Sequence, residues 1–198
     1  MSRLVESIKL LDGRFLNLFY HEQRMMHSLR SLFGHHELID LEKYLTSKPF
    51  PRKGLYKCRL VYDHQTMETV FDPYQARQIR TLKTVEDDGV QYEFKFADRT
   101  GIDRLFNRRA HCDDVLIVRN GLVTDSSFAN IVFRKGGDWY TPGSPLLKGT
   151  TRQRLLEEGK ISAREISKGD IRSFETFRVI NAMLEFESPE IEVSNIVF

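Results

Sequence analysis

Two glycine turns in close succession, Asn120-Gly121 and Gly136-Gly137, constrain the fold of this chain more than any other feature of it. Both residues of an Asn-Gly pair tolerate positive φ, which the tight turn matching the twist of two antiparallel strands requires. The first turn is flanked by the apolar runs Val115–Val118 and Leu122–Thr124, the second by Ile131–Phe133 and Trp139–Thr141, so two hairpins follow one another. Between them lies Thr124-Asp125-Ser126-Ser127-Phe128-Ala129-Asn130, a polar segment that flanking strands would hold rigid, with Asp125 at a strand end. After the second hairpin, Lys148-Gly149-Thr150-Thr151-Arg152 runs into the helical pattern Leu155, Leu156, Gly159. Two hydroxyls and several free N–H groups then gather where a helix begins, an arrangement that favours an anion.

At 198 residues the chain can bury a real core, as one large domain or two small ones. Its 30 basic and 28 acidic residues are spread along the sequence and leave a formal net charge of +2. That balance argues against an electrostatic grip on nucleic acid or on an anionic membrane. Cys58 and Cys112 stand far apart in no metal-ligand spacing, so free thiols in an intracellular protein are expected, and no metal site. Charge breaks the apolar runs between Met1 and Arg24 every few residues, which fits neither a signal peptide nor a membrane span. The expectation is a cytoplasmic protein acting on a small molecule.

Taken in order, Leu4–Leu11 and Phe15–Phe19 read as strands turning at Asp12-Gly13. A helix from about Tyr20 to Phe33 stops at Gly34, with Met25, Leu29, Leu32 and Phe33 as its core face. Arg24 lies off that face, in line with His21 and Ser28, and composition alone makes it a solvated arginine. After a short helix at Leu38–Leu45, Leu55–Tyr62 and Met67–Phe71 form a hairpin and Gln78–Val85 a third strand. Arg59 and Arg80 sit within these strands, either on a solvent face or reaching for an acidic substrate. The unpatterned Glu86-Asp87-Asp88-Gly89 marks a linker, which divides the chain into a small α/β domain, 1–86, and a larger one, 87–198.

In the second domain Val90, Tyr92, Phe94 and Phe96 alternate with polar residues, so a strand would bury the aromatics on one side and aim Lys95 to the other. Asp98 is a candidate N-cap for a helix through Arg109, whose arginines read as a solvated face. Arg164–Ile166 and Thr176–Ile180 are further strands, followed by a turn at Asn181-Ala182-Met183-Leu184.

A lysine on a strand, a carboxylate at a strand end and Gly-Thr-Thr at a helix start meet the three needs of pyridoxal phosphate. An amine forms the Schiff base, a carboxylate keeps the pyridine nitrogen protonated, and hydroxyls with helix-terminal N–H groups hold the phosphate. The runs Val123–Ile131, Trp139-Tyr140-Thr141-Pro142 and Leu147–Arg152 resemble the signature of the class IV aminotransferases, the fold-type IV enzymes of pyridoxal phosphate. The resemblance is specific from about Tyr92 to Glu185 and continuous in order before it. It implies an α+β, two-domain fold like that of D-amino acid aminotransferase, working as a homodimer, with the cofactor site near the domain interface. Lys95 stands for the cofactor-bonding lysine, ahead of the rivals Lys83 and Lys148. Asp125 stands where the family usually has Glu, Arg24 matches the phosphate-binding arginine, Thr150 and Thr151 match the phosphate loop, and Asn181 and Ala182 fall among the cofactor contacts. The family's preceding strand is expected to be missing, an N-terminal shortening.

Asn181-Ala182-Met183-Leu184 is similar to the segment carried by 4-amino-4-deoxychorismate lyases, where aminotransferases carry hydroxyls. The resemblance therefore implies a lyase of folate-precursor synthesis that gives 4-aminobenzoate and pyruvate, with Arg59 and Arg80 as partners for two substrate carboxylates. An aminotransferase for branched-chain or D-amino acids is the alternative, and a non-catalytic binding protein on the same scaffold a second one.

Overall fold

Leu4, Ile8 and Leu10 alternate along the chain and all are fully buried, the mark of a strand with one face on a core. That strand, β1 (Leu4–Leu11), belongs to the first of two units formed by the chain in the computed structural model, which describes residues 3–198. Asp12 and Gly13 take φ of 47° and 78° and return the chain to β2 (Arg14–Phe15). The strand expected to reach Phe19 ends there, because Leu18 already opens α1 (Leu18–Phe33). Then come α2 (Leu41–Thr46), with Asp40 accepting from the Lys43 N–H at its start, and the hairpin β3 (Leu55–Tyr62) and β4 (Met67–Pro73). The sheet runs β2-β1-β3-β4, all antiparallel, and Met25 and Leu29 of α1 pack on Leu4, Ile8, Leu60 and Tyr62. Leu32, expected inside, is 38% exposed, while His21 and Ser28 are buried. The buried face of α1 is therefore rotated towards its polar side.

The second unit contains β5 (Leu82–Glu86), α3 (Thr100–Phe106), β6 (Asp114–Arg119), β7 (Leu122–Ser126), β8 (Asn130–Lys135) and β9 (Asp138–Pro142). It continues through α4 (Thr150–Glu157), β10 (Ser162–Arg164), β11 (Thr176–Ile180), β12 (Ile191–Glu192) and β13 (Ile196–Val197). Its strands follow the order β10-β9-β8-β7-β6-β5-β13, with β11 pairing both β8 and β12. Both glycine turns form as expected: Asn120 and Gly121 have φ of 51° and 75°, Gly136 and Gly137 of 60° and 93°. β7 and β8 are joined through the pair Asp125 and Asn130, so the polar segment between the hairpins forms the turn between these two strands.

Three expectations change. The third strand is shorter than Gln78–Val85 and pairs in parallel with β6, from Leu82 opposite Asp114 to Glu86 opposite Val118. It thereby joins the second unit, the division falls between Ala76 and Arg77 rather than at residue 86, and Arg80 precedes the strand. The strand expected over Val90–Phe96 does not form. Val90 and Tyr92 pack in a core of the second unit with Ile102 and Leu105, whereas Phe94 and Phe96 pack in the core of the first. A segment drawn into two cores cannot keep one ladder, and what remains is a single bridge between Leu4 and Phe96. Finally, α3 begins at Thr100 with Arg99 in the cap position, so Asp98 is no cap, and it ends at Phe106 rather than Arg109. Among the described residues no helix is long and apolar enough to cross a membrane, and no group of three or more His, Cys, Asp or Glu could hold a metal ion.

Candidate functional site

The chemistry-bearing residues fall into two sets, one in each unit. In the first unit Lys95 lies on the bridge segment Phe94–Asp98, whose Lys95 carbonyl accepts from the Val5 N–H at 2.9 Å and whose Ala97 N–H donates to the Arg3 carbonyl at 2.8 Å. Phe96 faces Leu4 across the bridge, and the Phe94 ring stacks on His27 of α1. Both aromatics thus pack in the core beneath α1, and the Phe96 N–H donates back to the Phe94 carbonyl at 2.9 Å, a tight turn centred on Lys95. Lys95 is half-buried. Strand alternation therefore does not set the direction of Lys95, whose charge acts on the buried His21 imidazole of α1. Arg59 of β3 stands opposite Ser7 of β1 and is exposed.

Arg24 is not a solvated arginine. Its Nε donates to Glu6 Oε1 at 2.9 Å and its Nη2 to Glu6 Oε2 at 2.5 Å, while His21 Nδ1 lies 2.6 Å from the same Oε2. Glu6 and His21 are both fully buried. Burial is the strongest influence on Glu6 and disfavours its charge, yet Arg24 and His21 together outweigh it and hold the carboxyl well below its ordinary range. Burial pushes the His21 imidazole down, against the pull of Glu6, and the charges of Arg24 and Lys95 push it further. The imidazole is therefore neutral and donates Nδ1–H to an ionised Glu6. No hydrogen-bond partner meets its buried Nε2.

In the second unit the Asp125 carboxylate is 4% exposed and both its oxygens are held: Oδ1 accepts from Asn130 Nδ2 at 2.6 Å and Oδ2 from the Leu147 N–H at 2.9 Å. Burial dominates and pushes the carboxyl up to about 6, against these two hydrogen bonds and the charge of Arg152. Asn130 Nδ2 also donates to the Leu147 carbonyl at 2.8 Å, so one amide ties the carboxylate to the turn that leads into α4. Arg152 is 5% exposed and spends its donors on Thr141 Oγ1 at 3.3 Å and the Pro142 carbonyl at 2.9 Å, which leaves it a buried cation near a buried anion.

α4 starts at Gly149 with no side-chain cap, so the N–H groups of its first turn lack the usual acceptor. Thr150 and Thr151 are 4% and 1% exposed, and no hydrogen-bond partner meets Thr151 Oγ1. A buried hydroxyl without a partner beside uncapped N–H groups suits an anion with several acceptor oxygens. The Asn181 side chain closes its own turn, its Oδ1 accepting from the N–H groups of Met183 and Leu184 at 2.9 and 3.0 Å while Nδ2 donates to the Phe128 carbonyl at 3.4 Å. Ala182 beside it is 8% exposed.

Among the expected site residues, then, Asp125, Thr150, Thr151, Asn181 and Ala182 belong to the second unit, and Lys95, Arg24 and Arg59 to the first. Arg80 belongs to the second and is exposed, its guanidinium on Gln78 Oε1 at 3.0 Å, at the rim of a cavity of about 560 Å³ bounded by Pro189–Glu192. Arg59 and Arg80 are therefore not brought together within one unit. Of the rival lysines, Lys83 donates to the Phe198 carbonyl at 2.9 Å. Sequence reasoning missed Glu6, His21, Asn130 and Arg152. Glu6 left a legible signal, a carboxylate in the buried phase of β1 with Leu4 and Ile8, which demands a cation nearby.

Residues 71–187 match the family model described as amino-transferase class IV. An uncharacterized protein of Haemophilus influenzae is 38% identical over 92% of this chain and 98% of its own length. The crystal structure of a Haemophilus somnus protein provisionally named 4-amino-4-deoxychorismate lyase is 40% identical, covers 92% of this chain and 97% of that one, and has a TM-score of 0.86. At 18% identity, a hypothetical aminotransferase of Mycobacterium tuberculosis in its PLP-bound form shares the fold, with a TM-score of 0.74 over 96% of this chain and 80% of that one. Family model, relative and fold agree that this chain belongs to the class IV aminotransferases, the enzymes of fold type IV.

Proposed function

We propose that the protein is a pyridoxal phosphate enzyme that cleaves 4-amino-4-deoxychorismate to 4-aminobenzoate and pyruvate. The residues present suit that cofactor. Thr150, Thr151 and the first N–H groups of α4 offer donors to its phosphate, and the Thr151 hydroxyl has no other hydrogen-bond partner. Asp125 is a buried carboxyl that ionises at about 6, so a cationic ring nitrogen facing it would supply the charge that Arg152 alone does not. Arg24 would add a charge-assisted bond to the phosphate. Lys95 would bond covalently to the cofactor aldehyde.

When bound, the cofactor supplies an electron sink for the carbon that bears the substrate's amine. Lys95 then takes the proton from that carbon, the carbon–oxygen bond to the enolpyruvyl group breaks, and enolpyruvate leaves as the ring becomes aromatic. The proton returns to the departing fragment, which becomes pyruvate, so nothing else is consumed. Asp125 would hold negative charge facing the ring nitrogen. Arg59, exposed on β3 in the same unit as Lys95, suits a substrate carboxylate because its planar fork binds one in two parallel hydrogen bonds; Arg80 lies in the other unit.

The observation that favours a lyase over a transferase is the likeness, at 40% identity over nearly the whole chain, to the protein that bears the lyase name. The Asn181 turn, with an amide where transferases place hydroxyls, points the same way. Coupling synthesis of the substrate to this protein and following pyruvate with lactate dehydrogenase tests the proposal, with branched-chain and D-amino acids run against keto acids in parallel. Pyruvate with 4-aminobenzoate is the expected outcome. Keto acids without pyruvate would make the enzyme an aminotransferase, and a lack of both with cofactor bound would favour a binding protein. A cytoplasmic homodimer completes the proposal, on the family likeness and the buried free thiols of Cys58 and Cys112; sedimentation checks the dimer.

A further inference from the structure

Asn130 has no task in the chemistry above, yet it is 6% exposed and its side chain meets two separate parts of the second unit's site. Its Nδ2 carries two hydrogens and both are engaged, one on Asp125 Oδ1 at 2.6 Å and one on the Leu147 carbonyl at 2.8 Å. Leu147 closes the circle, because its own N–H donates to Asp125 Oδ2 at 2.9 Å. A carboxylate, an amide and one backbone residue are thus joined in a ring. The amide also rests on Gly149, where α4 begins: a Cβ there would run into Asn130 Oδ1, although φ of −69° suits any residue. We propose that Asn130 is a positioning residue that fixes the span between the two cofactor subsites of this unit, the Asp125 carboxylate for the ring nitrogen and the turn into α4 for the phosphate.

The amide can sit only one way round. Both partners of Nδ2 are acceptors, so a flipped amide would set its oxygen against a carboxylate and a carbonyl. Asp125 and Asn130 are also the residue pair by which β7 and β8 join, which anchors the brace to the same strands as the group it holds. Leu147 belongs to neither β9 nor α4, so the two side chains supply the fixed points that regular structure does not. A ligand whose two ends meet groups already held at the right separation loses less freedom on binding, and that difference appears as affinity. The inference rests on the reading of Asp125 and the α4 turn as cofactor subsites.

Two measurements on Asn130→Ala test the two ends of the span. In the apoprotein, carbon NMR of labelled aspartate carboxyls follows the group that titrates at about 6, identified by its absence from Asp125→Asn. Loss of a hydrogen bond to the charged form should move that titration up by about one to two pH units, with the charge of Arg152, which also acts on Asp125, left in place. Equilibrium dialysis against pyridoxal phosphate, and separately against pyridoxal, reports on the other end. With the turn no longer held, the phosphorylated ligand should weaken by about tenfold more than pyridoxal does, whereas general damage would weaken the two alike. Thr151→Val removes the hydroxyl that lacks a partner; it should lower the same ratio without moving the titration. An unmoved titration or an unmoved ratio in Asn130→Ala would overturn the proposal. If Thr151→Val also leaves the ratio intact, the phosphate reading of the α4 turn fails first and takes this inference with it; if Thr151→Val lowers the ratio and Asn130→Ala does not, the inference alone falls. Should Asn130→Ala not fold, Asn130→Ser, whose single hydroxyl hydrogen cannot serve both acceptors, is measured in its place with the same changes expected.

Discussion

Replacing Asp125 by asparagine should make the apoprotein relatively more stable as the pH rises. The carboxyl moves from 3.8 in the open chain to about 6 in the fold, and each tenfold change in proton affinity is worth about 1.4 kcal/mol, so ionisation inside the fold costs roughly 3 kcal/mol in all. The sign follows from the raised value: the stability contributed by the neutral acid is fully present below about 3.8 and is lost as the pH climbs through about 6. An asparagine side chain in its place would keep the volume and cannot ionise. His21 works in the opposite sense, since its imidazole is depressed from 6.5 and its contribution is lost as the pH falls. The wild type alone therefore shows a mixture. Urea unfolding of wild type and Asp125→Asn at pH 4.5 and at pH 7.5 removes the His21 contribution by difference, and the variant should gain roughly 2 kcal/mol on the wild type between the two. Saturating pyridoxal phosphate should shrink that gain, because a cation facing Asp125 favours its ionised form. A wild-type-to-variant difference that does not move with pH would mean that Asp125 is ionised without penalty and that the buried-carboxyl account of the site is wrong.

Three further outcomes follow from the same geometry. Borohydride reduction of the cofactor-loaded protein and peptide mapping should place the pyridoxyl label on Lys95; a label on Lys83 or Lys148 would refute the lysine assignment. Asp125→Asn should lower turnover by far more than it lowers cofactor occupancy, measured by absorbance, because the charge it removes serves the ring's electron sink. Gly149→Ala meets no backbone strain at φ −69°, but its Cβ would run into the side-chain amide of Asn130. Displacing that amide breaks its bonds to Asp125 and Leu147, a loss of about 2–4 kcal/mol that a urea melt would register, and cofactor affinity should fall with it.

The parts of the fold that local chemistry decides were legible. Asn120-Gly121, Gly136-Gly137 and Asp12-Gly13 turn where their φ preferences demand, and Gly34 stops α1 with φ of 64°. The elements that failed are those settled by competition at a distance. Gln78–Val85 looks like a third strand of the first sheet until β6 offers it a parallel partner some thirty residues further on. The alternation of Val90, Tyr92, Phe94 and Phe96 is sound, yet two cores claim its two halves. At the site, the lysine, the carboxylate and the phosphate turn could be named because their chemistry is tied to short motifs. The groups that hold them could not: Asn130 reaches Leu147 across 17 positions and Glu6 reaches Arg24 across 18, with whole strands or a helix between, and no spacing in the sequence announces such pairs. Arg24 shows the limit well, since composition makes it a surface residue and the buried carboxylate of β1 draws it in.

The route of the chain gives the bridge segment one more significance. The chain leaves the first unit at Ala76, returns to it for Phe94–Asp98 and leaves again, so the two units are stitched by three covalent passages. A ribosome that has released the first 76 residues has released Arg24 and Arg59 but neither Lys95 nor the rings of Phe94 and Phe96 that finish that core. The first unit must wait for the opening of the second before it can complete itself. Genetic exchange meets the same barrier, because no single cut in the gene yields either unit whole, and the lysine on which the chemistry is proposed to depend travels with the thread that forbids the cut.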